Sequence, residues 1–122
     1  MRLRFVLSLL VLATCGSLFV HSQSPSTPEQ RARFVEIAQK VEADPISPSL
    51  KPEREWAFKW LVQVPDVHVE LCADLITPLF GKKYKYGPEL TLQNVLGAGA
   101  FVVKNPDQES NHFAANQAAL VS

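Results

Sequence analysis

Apolar positions recur along this chain at two spacings, and the change of spacing divides it. Phe34, Ile37, Ala38 and Val41 fall three or four apart and predict an amphipathic helix. Thr27-Pro28-Glu29-Gln30 opens it: a threonine N-cap, a proline at the first helical position and a glutamine able to reach back to the cap. Glu29/Arg33 and Glu36/Lys40 are i,i+4 pairs on its solvent side. The helix is expected to end near Asp44-Pro45. Asp44 to Pro52, DPISPSLKP, carries three prolines and reads as a stiff connector between packed helices. A second helix opens at Pro52, with Ser49 or Lys51 near its cap and Glu53 and Glu55 at the positive end of its dipole. Trp56, Ala57, Phe58, Trp60, Leu61, Val62 and Val64 cover about two thirds of its wheel. An arc that wide predicts burial on more than one side and makes this the expected central helix, with Trp56 to Phe80 as the stretch around which the core forms. Pro65 stops it.

From Asp66 the spacing changes. Val67, Val69 and Leu71 alternate with His68, Glu70 and Cys72, which is a strand pattern. Yet Leu71/Leu75 and Cys72/Ile76 are also helical neighbours, and Asp66 is a good N-cap. A helix from about Val67 to Ile76 is preferred, because a lone strand has no partner here. Gly81 to Pro88, GKKYKYGP, is a loop. Helical spacing resumes at Pro88-Glu89, with Leu92, Val95, Leu96, Val102 and Val103 on one face and Leu90, Ala98 and Phe101 on another. Gly99 sits in the middle, where glycine costs ~1 kcal/mol relative to alanine. Close approach of a neighbouring helix is the expected compensation. Asn105-Pro106-Asp107 breaks this helix, and a last one runs from about Asp107 toward Val121 with Phe113, Leu120 and Val121 as its larger apolar residues. It stops on Ala-Ala-Leu-Val-Ser without glycine, basic last turn or polar tail, as a C-terminally truncated element would. The fold class predicted is therefore mainly α, a small bundle of four to five helices.

The N-terminus changes the setting. Met1-Arg2-Leu3-Arg4 is a short positive region, and Phe5 to Val20 is apolar but short of the ~20 residues that span a bilayer comfortably. Val20-His21-Ser22 then places cleavage before Gln23, so residues 1–22 read as a secretory signal peptide and 23–122 as one small domain. The protein is expected to be exported, to the periplasm or beyond, with membrane contact only through the leader if that is retained. Leu12-Ala13-Thr14-Cys15 is lipobox-like, but the threonine is a poor residue there and the apolar run continues past it, so a lipoprotein at Cys15 is disfavoured. The 122 residues hold 12 basic and 12 acidic side chains. Arg2 and Arg4 leave with the leader, so the remainder is slightly acidic and offers no footprint for nucleic acid or an anionic membrane. Cys15 leaves too. Cys72 is then the single cysteine, and an internal disulfide is excluded.

Few residues carry candidate chemistry. On a strand His68, Glu70, Cys72 and Asp74 would share one face and resemble a soft-metal site; on a helix only His68 and Cys72 stay together, with His112 the one other histidine after the leader. The preferred reading is plainer: Cys72 a small buried core residue and His68 a surface one, with no metal and no cofactor. Catalysis by Cys72 is disfavoured, since no oxyanion turn or CxxC flanks it. Pairing of Cys72 between molecules requires it to be exposed. Lys82-Lys83-Tyr84-Lys85-Tyr86 interleaves basic and aromatic residues and is a candidate binding loop for a glycan, peptide or lipid headgroup; the plainer expectation is a solvated loop with its tyrosines packed back on the core. Trp56 and Trp60, one turn apart, are expected in the core. No P-loop, Rossmann glycine pattern, HExxH, Gly-x-Ser-x-Gly or EF-hand loop is present.

Val64-Pro65-Asp66-Val67, Cys72, Tyr84-Lys85-Tyr86-Gly87 and Ala100-Phe101-Val102-Val103 ahead of Asn105-Pro106-Asp107 resemble an uncharacterised family of small exported bacterial proteins. The resemblance covers about the second half of the chain and implies no activity. Its members run further at the C-terminus with more helix. With no catalytic constellation, an enzyme is not expected. The expected role is non-enzymatic binding of a protein partner or an envelope component, or self-association through surplus apolar surface. The rival is a metal- or thiol-dependent function at His68 and Cys72, and a third possibility is a chain that does not fold stably.

Overall fold

The structure is a computed structural model and describes residues 23–81 and 83–121. The leader with Cys15, Lys82 of the basic loop, and Ser122 lie outside the described residues. Among these are five α-helices and no strand, the small mainly α bundle that the periodicity predicts. They are α1 (Pro28–Ala43), α2 (Lys51–Gln63), α3 (Ala73–Ile76), α4 (Gly87–Lys104) and α5 (His112–Val121). Short 3-10 turns lie at Pro48–Leu50, Thr77–Phe80 and Pro106–Gln108.

The start of α1 follows its sequence closely. The Thr27 hydroxyl accepts from the Gln30 N–H at 3.2 Å, and Gln30 Oε1 accepts from the Thr27 N–H at 3.1 Å. Phe34, Ile37, Ala38 and Val41 are all buried. Of the two expected i,i+4 pairs, Glu36–Lys40 forms at 2.9 Å. Glu29–Arg33 does not, because the Arg33 guanidinium lies 4.0 Å over the Trp56 ring instead. Trp56 stacks on Trp60 at 6.1 Å, and Trp60 meets Phe34 at 4.7 Å. The indole N–H of Trp60 donates to Gln30 Oε1 at 3.4 Å, so the aromatic ladder and the cap of α1 share one side chain. Both tryptophans belong to the core or its edge, as expected. In the proline-rich connector, buried Arg54 of α2 donates to the carbonyls of Pro45 and Ser47, at 3.1 and 2.8 Å.

The centre of the bundle is α4, not α2. No charged residue falls between Glu89 and Lys104, so α4 tolerates cover on several sides. Helices α1, α2 and α5 and the turn Thr77–Phe80 all pack against it. Helix α2 carries Lys51, Glu53, Arg54, Glu55 and Lys59 among its apolar residues and lies at the side. It buries Arg54, Ala57, Trp60 and Leu61, while Phe58 is 47% and Val62 66% exposed. Its wide apolar arc is therefore covered on one side only.

Three glycines set how closely the other elements approach α4. A Cβ on Gly99 would come within 2.9 Å of Phe34 Cζ and 3.2 Å of Leu61 Cδ2. The expected close approach is thus real, and its agent is the ring of α1's most buried residue. A Cβ on Gly97 would lie 3.1 Å from Ala119 Cβ of α5. A Cβ on Gly87 would collide with the Leu79 carbonyl, which pins the first turn of α4 to the turn Thr77–Phe80.

Phe34→Ala removes the ring around which Gly99, Leu61 and Trp60 are arranged, and is expected to cost about 3–4 kcal/mol. Gly99→Ala gains ~1 kcal/mol of helix propensity but must displace that ring, for a net loss of about 1 kcal/mol. Urea denaturation followed by tryptophan fluorescence measures both. A stabilised Gly99→Ala protein would refute the close approach.

Candidate functional site: the extended segment and the groove beside α5

Val67 to Cys72 is neither the preferred helix nor a paired strand. It forms no regular element: Cys72 at its end has extended backbone, and helix begins only at Ala73. Pro65 cannot continue α2, and β-branched Val67 and Val69 favour extended backbone. The hydrogen bonds a neighbouring strand would supply come from side chains. The His68 N–H donates to Glu109 Oε1 at 2.9 Å, and the Cys72 N–H donates to Asn116 Oδ1 at 3.1 Å. Asn116 in turn donates to the carbonyls of Glu70 at 2.8 Å and His112 at 2.7 Å. One buried amide thus fixes both the segment and the first turn of α5.

The alternation of faces survives without the strand. Val67 is buried, Val69 and Leu71 are half-buried, and His68, Glu70 and Cys72 face outward. Asp74 leaves this row because it lies in α3. Four residues of extended chain span ~13 Å, so His68 and Cys72 do not meet as they would on a helix. His68 Nδ1 lies 2.7 Å from Glu109 Oε1, and His112 Nε2 lies 3.1 Å from Glu70 Oε2. Both histidines tie the extended segment to the α5 side. Among the described residues no three His, Cys, Asp or Glu side chains are arranged to hold a metal ion. Cys72 itself is exposed, not a buried core residue. Extended geometry turns it outward with Glu70, whereas a helix would have allowed it to turn in.

The N-terminal end of the segment is anchored by two carboxylates, Asp66 and Glu109. Asp66 accepts from the Ser26 N–H at 2.9 Å, the Ser26 hydroxyl at 2.8 Å and Arg31 Nη2 at 3.1 Å. The Ser26 N–H does most to hold its carboxyl below the ordinary value, against an opposing effect of burial. The His68 side chain likewise does most to lower Glu109.

A groove of about 550 Å³ runs between this segment and α5. Leu71, Cys72, Leu75, Phe113 and Leu120 form its apolar lining, and Glu70, His112, Asn116 and Gln117 complete it. Helix α5 turns its small residues, Ala115 and Ala119, toward the core together with Asn116. Phe113, 78% exposed, and Leu120, 57% exposed, face out. The Gly97–Ala119 contact leaves no room for a larger side chain inside. All of Asn116's amide hydrogen-bonding atoms are engaged, so its polar capacity is spent. What the groove offers is mainly apolar surface, one thiol, the Glu70–His112 pair and the Gln117 amide. The thiol can exchange with a disulfide, but no histidine is hydrogen-bonded to it to generate a nucleophile for hydrolysis.

The candidate loop lies elsewhere. Lys83, Tyr84, Lys85 and Tyr86 are all exposed, so the tyrosines do not pack back on the core. Lys85 Nζ instead sits 5.1 Å over the Tyr86 ring. Asn116 and Arg54 are the structural residues that sequence reasoning missed. An asparagine within an alanine-rich helix was a weak signal for the first; for the second, an arginine in a helix's first turn looked like a solvent residue. No protein-family model, curated protein or solved structure matches the chain.

Asn116→Ala leaves the Cys72 N–H and the Glu70 carbonyl without partners and is expected to cost about 2–3 kcal/mol. It should also loosen the segment, so that amide exchange at residues 68–72 accelerates more than in α1. Equal acceleration in both would assign Asn116 to general stability only. Asp66→Asn tests the other anchor. The folded carboxyl titrates below its ordinary 3.8, so its contribution is present above that pH and lost as pH falls through the lower folded value. Wild type should be the more stable at pH 7, and the gap should close in acid. A gap unchanged from pH 7 to acid would contradict the anchor.

Proposed function

We propose that this chain is an exported, non-enzymatic interaction protein, and that the groove beside α5 takes an apolar segment of another chain, in the first instance a second copy. The observation that carries this reading is the orientation of α5. Its largest apolar side chains point to solvent beside an apolar groove whose buried amide is already engaged. Glu70, His112 and Gln117 add polar groups to the lining, but most of the surface is apolar, and aliphatic and aromatic side chains find a match there. Export rests on the leader reading. The exposed Cys72 meets the condition for pairing between molecules in an oxidising compartment, and its place in the groove wall would let a disulfide latch a docked partner.

Sedimentation of the Cys72→Ser protein in reducing buffer tests docking apart from oxidation. The expected result is a reversible dimer that Phe113→Ser with Leu120→Ser converts to a monomer. A monomeric parent that binds no hydrophobic dye would overturn the reading. With Cys72 present, native-state thiol titration should show one reactive group per chain. A thiol that reacts only after denaturation would remove the latch.

A further inference from the structure

A second surface shares none of the residues that line the α5 groove. It begins at Phe80, which closes the turn Thr77–Phe80 and is 67% exposed. The contact between Gly87 and the Leu79 carbonyl holds the two ends of the following loop together. The Tyr84 N–H donates to the Gly81 carbonyl at 3.2 Å, and the Gly87 N–H to the Tyr84 carbonyl at 3.3 Å. Phe80, Gly81 and residues 83–86 are therefore a tied lobe. Between Asp74 and Glu89 the sequence has three lysines, Lys82, Lys83 and Lys85, and no acid. Nowhere else in the sequence do three lysine or arginine residues follow one another without an intervening acid. Behind Phe80 lies an apolar hollow of about 320 Å³ walled by Phe58, Pro88, Leu92 and Val95. Glu55 also borders it, but lies within 3.9 Å of Lys51.

We infer that this lobe docks on an anionic lipid surface. Lysines would meet headgroup phosphates, Tyr84 and Tyr86 would sit at headgroup depth, and Phe80 would enter the acyl boundary. Charge selects anionic lipid over neutral lipid. Phe80 selects a bilayer over a soluble anion: a free phosphate satisfies the lysines and leaves an exposed phenyl ring and the hollow behind it in water. Single-stranded nucleic acid would stack on aromatic rings along a basic track, whereas here the most exposed ring adjoins an aliphatic hollow. A basic cluster beside an inserted apolar side chain combines electrostatic attraction to anionic lipid with apolar burial, the two contributions to interfacial binding. Each lysine near an anionic surface is worth about fivefold in partitioning. The rest of the chain adds no net attraction, so binding should be local to the lobe and weakened by salt.

The test is co-sedimentation of the exported chain, its mass showing that it starts at Gln23, with vesicles of phosphatidylcholine alone and of equal parts phosphatidylcholine and phosphatidylglycerol. Expected is binding to the mixed vesicles only, reduced at high salt. Lys83→Glu with Lys85→Glu should lower it about 25-fold or more, and Phe80→Ser about tenfold. Circular dichroism checks that these exposed substitutions leave the fold intact. Phe113→Ser with Leu120→Ser should leave vesicle binding unchanged, which separates this surface from the α5 groove. No binding to mixed vesicles, equal binding to both kinds, or loss only in the α5 variant would each overturn the inference. So would binding displaced by inorganic phosphate and indifferent to Phe80→Ser, which would mark a soluble-anion site.

Discussion

The approach of α5 to α4 at Gly97 and Ala119 is the constraint on which the functional surface depends. At that separation only small side chains fit between the helices. Ala115 and Ala119 fill the seam, so Phe113 and Leu120 have nowhere to go but outward. The exposed apolar face of α5 is thus a consequence of close packing on its inner side. On the other side of α4, Gly99 admits the Phe34 ring in the same way, and that ring organises Trp60, Trp56 and Arg33 behind it.

The same seam decides the state of Val67 to Cys72. Asn116 sits beside Ala115 and Ala119 and is buried. It satisfies its amide on the backbone of the extended segment and of its own helix, and those bonds stand in for a missing strand. A buried amide left without partners costs more than one hydrogen bond returns, so the segment and α5 stabilise each other. Glu109 with His68, and Asp66 with Ser26 and Arg31, add polar ties at the segment's N-terminal end. The extended geometry then turns His68, Glu70 and Cys72 outward together, too far apart to act as one site.

Two surfaces of different character result. The α5 groove is mainly apolar and carries a thiol; the lobe at Phe80 to Tyr86 is basic and aromatic. Apolar burial favours a protein segment in the first, and charge with an inserted ring favours a lipid surface in the second. Both arise because helices with wide apolar arcs, α2 and α5, are each covered on one side only.

Local features were legible in the sequence. The Thr27 cap and capping box, the buried stripe of α1, the break at Pro65, the glycine approach at Gly99 and the mainly α class all follow from interactions within a few residues or from a clear period. The alternation at Val67 to Cys72 also reported correctly which side chains face out. What the sequence left open was decided by distant partners. Helix against extended chain at 67–72 turned on Asn116 and Glu109, more than 40 positions away. The centre of the bundle fell to α4 and not to the tryptophan-bearing α2, because absence of charge over its length mattered more than the width of an apolar arc. The outward turn of Phe113 and the exposure of Cys72 were set by how closely two backbones could approach. Periodicity records how apolar a face is; only packing decides whether anything covers it.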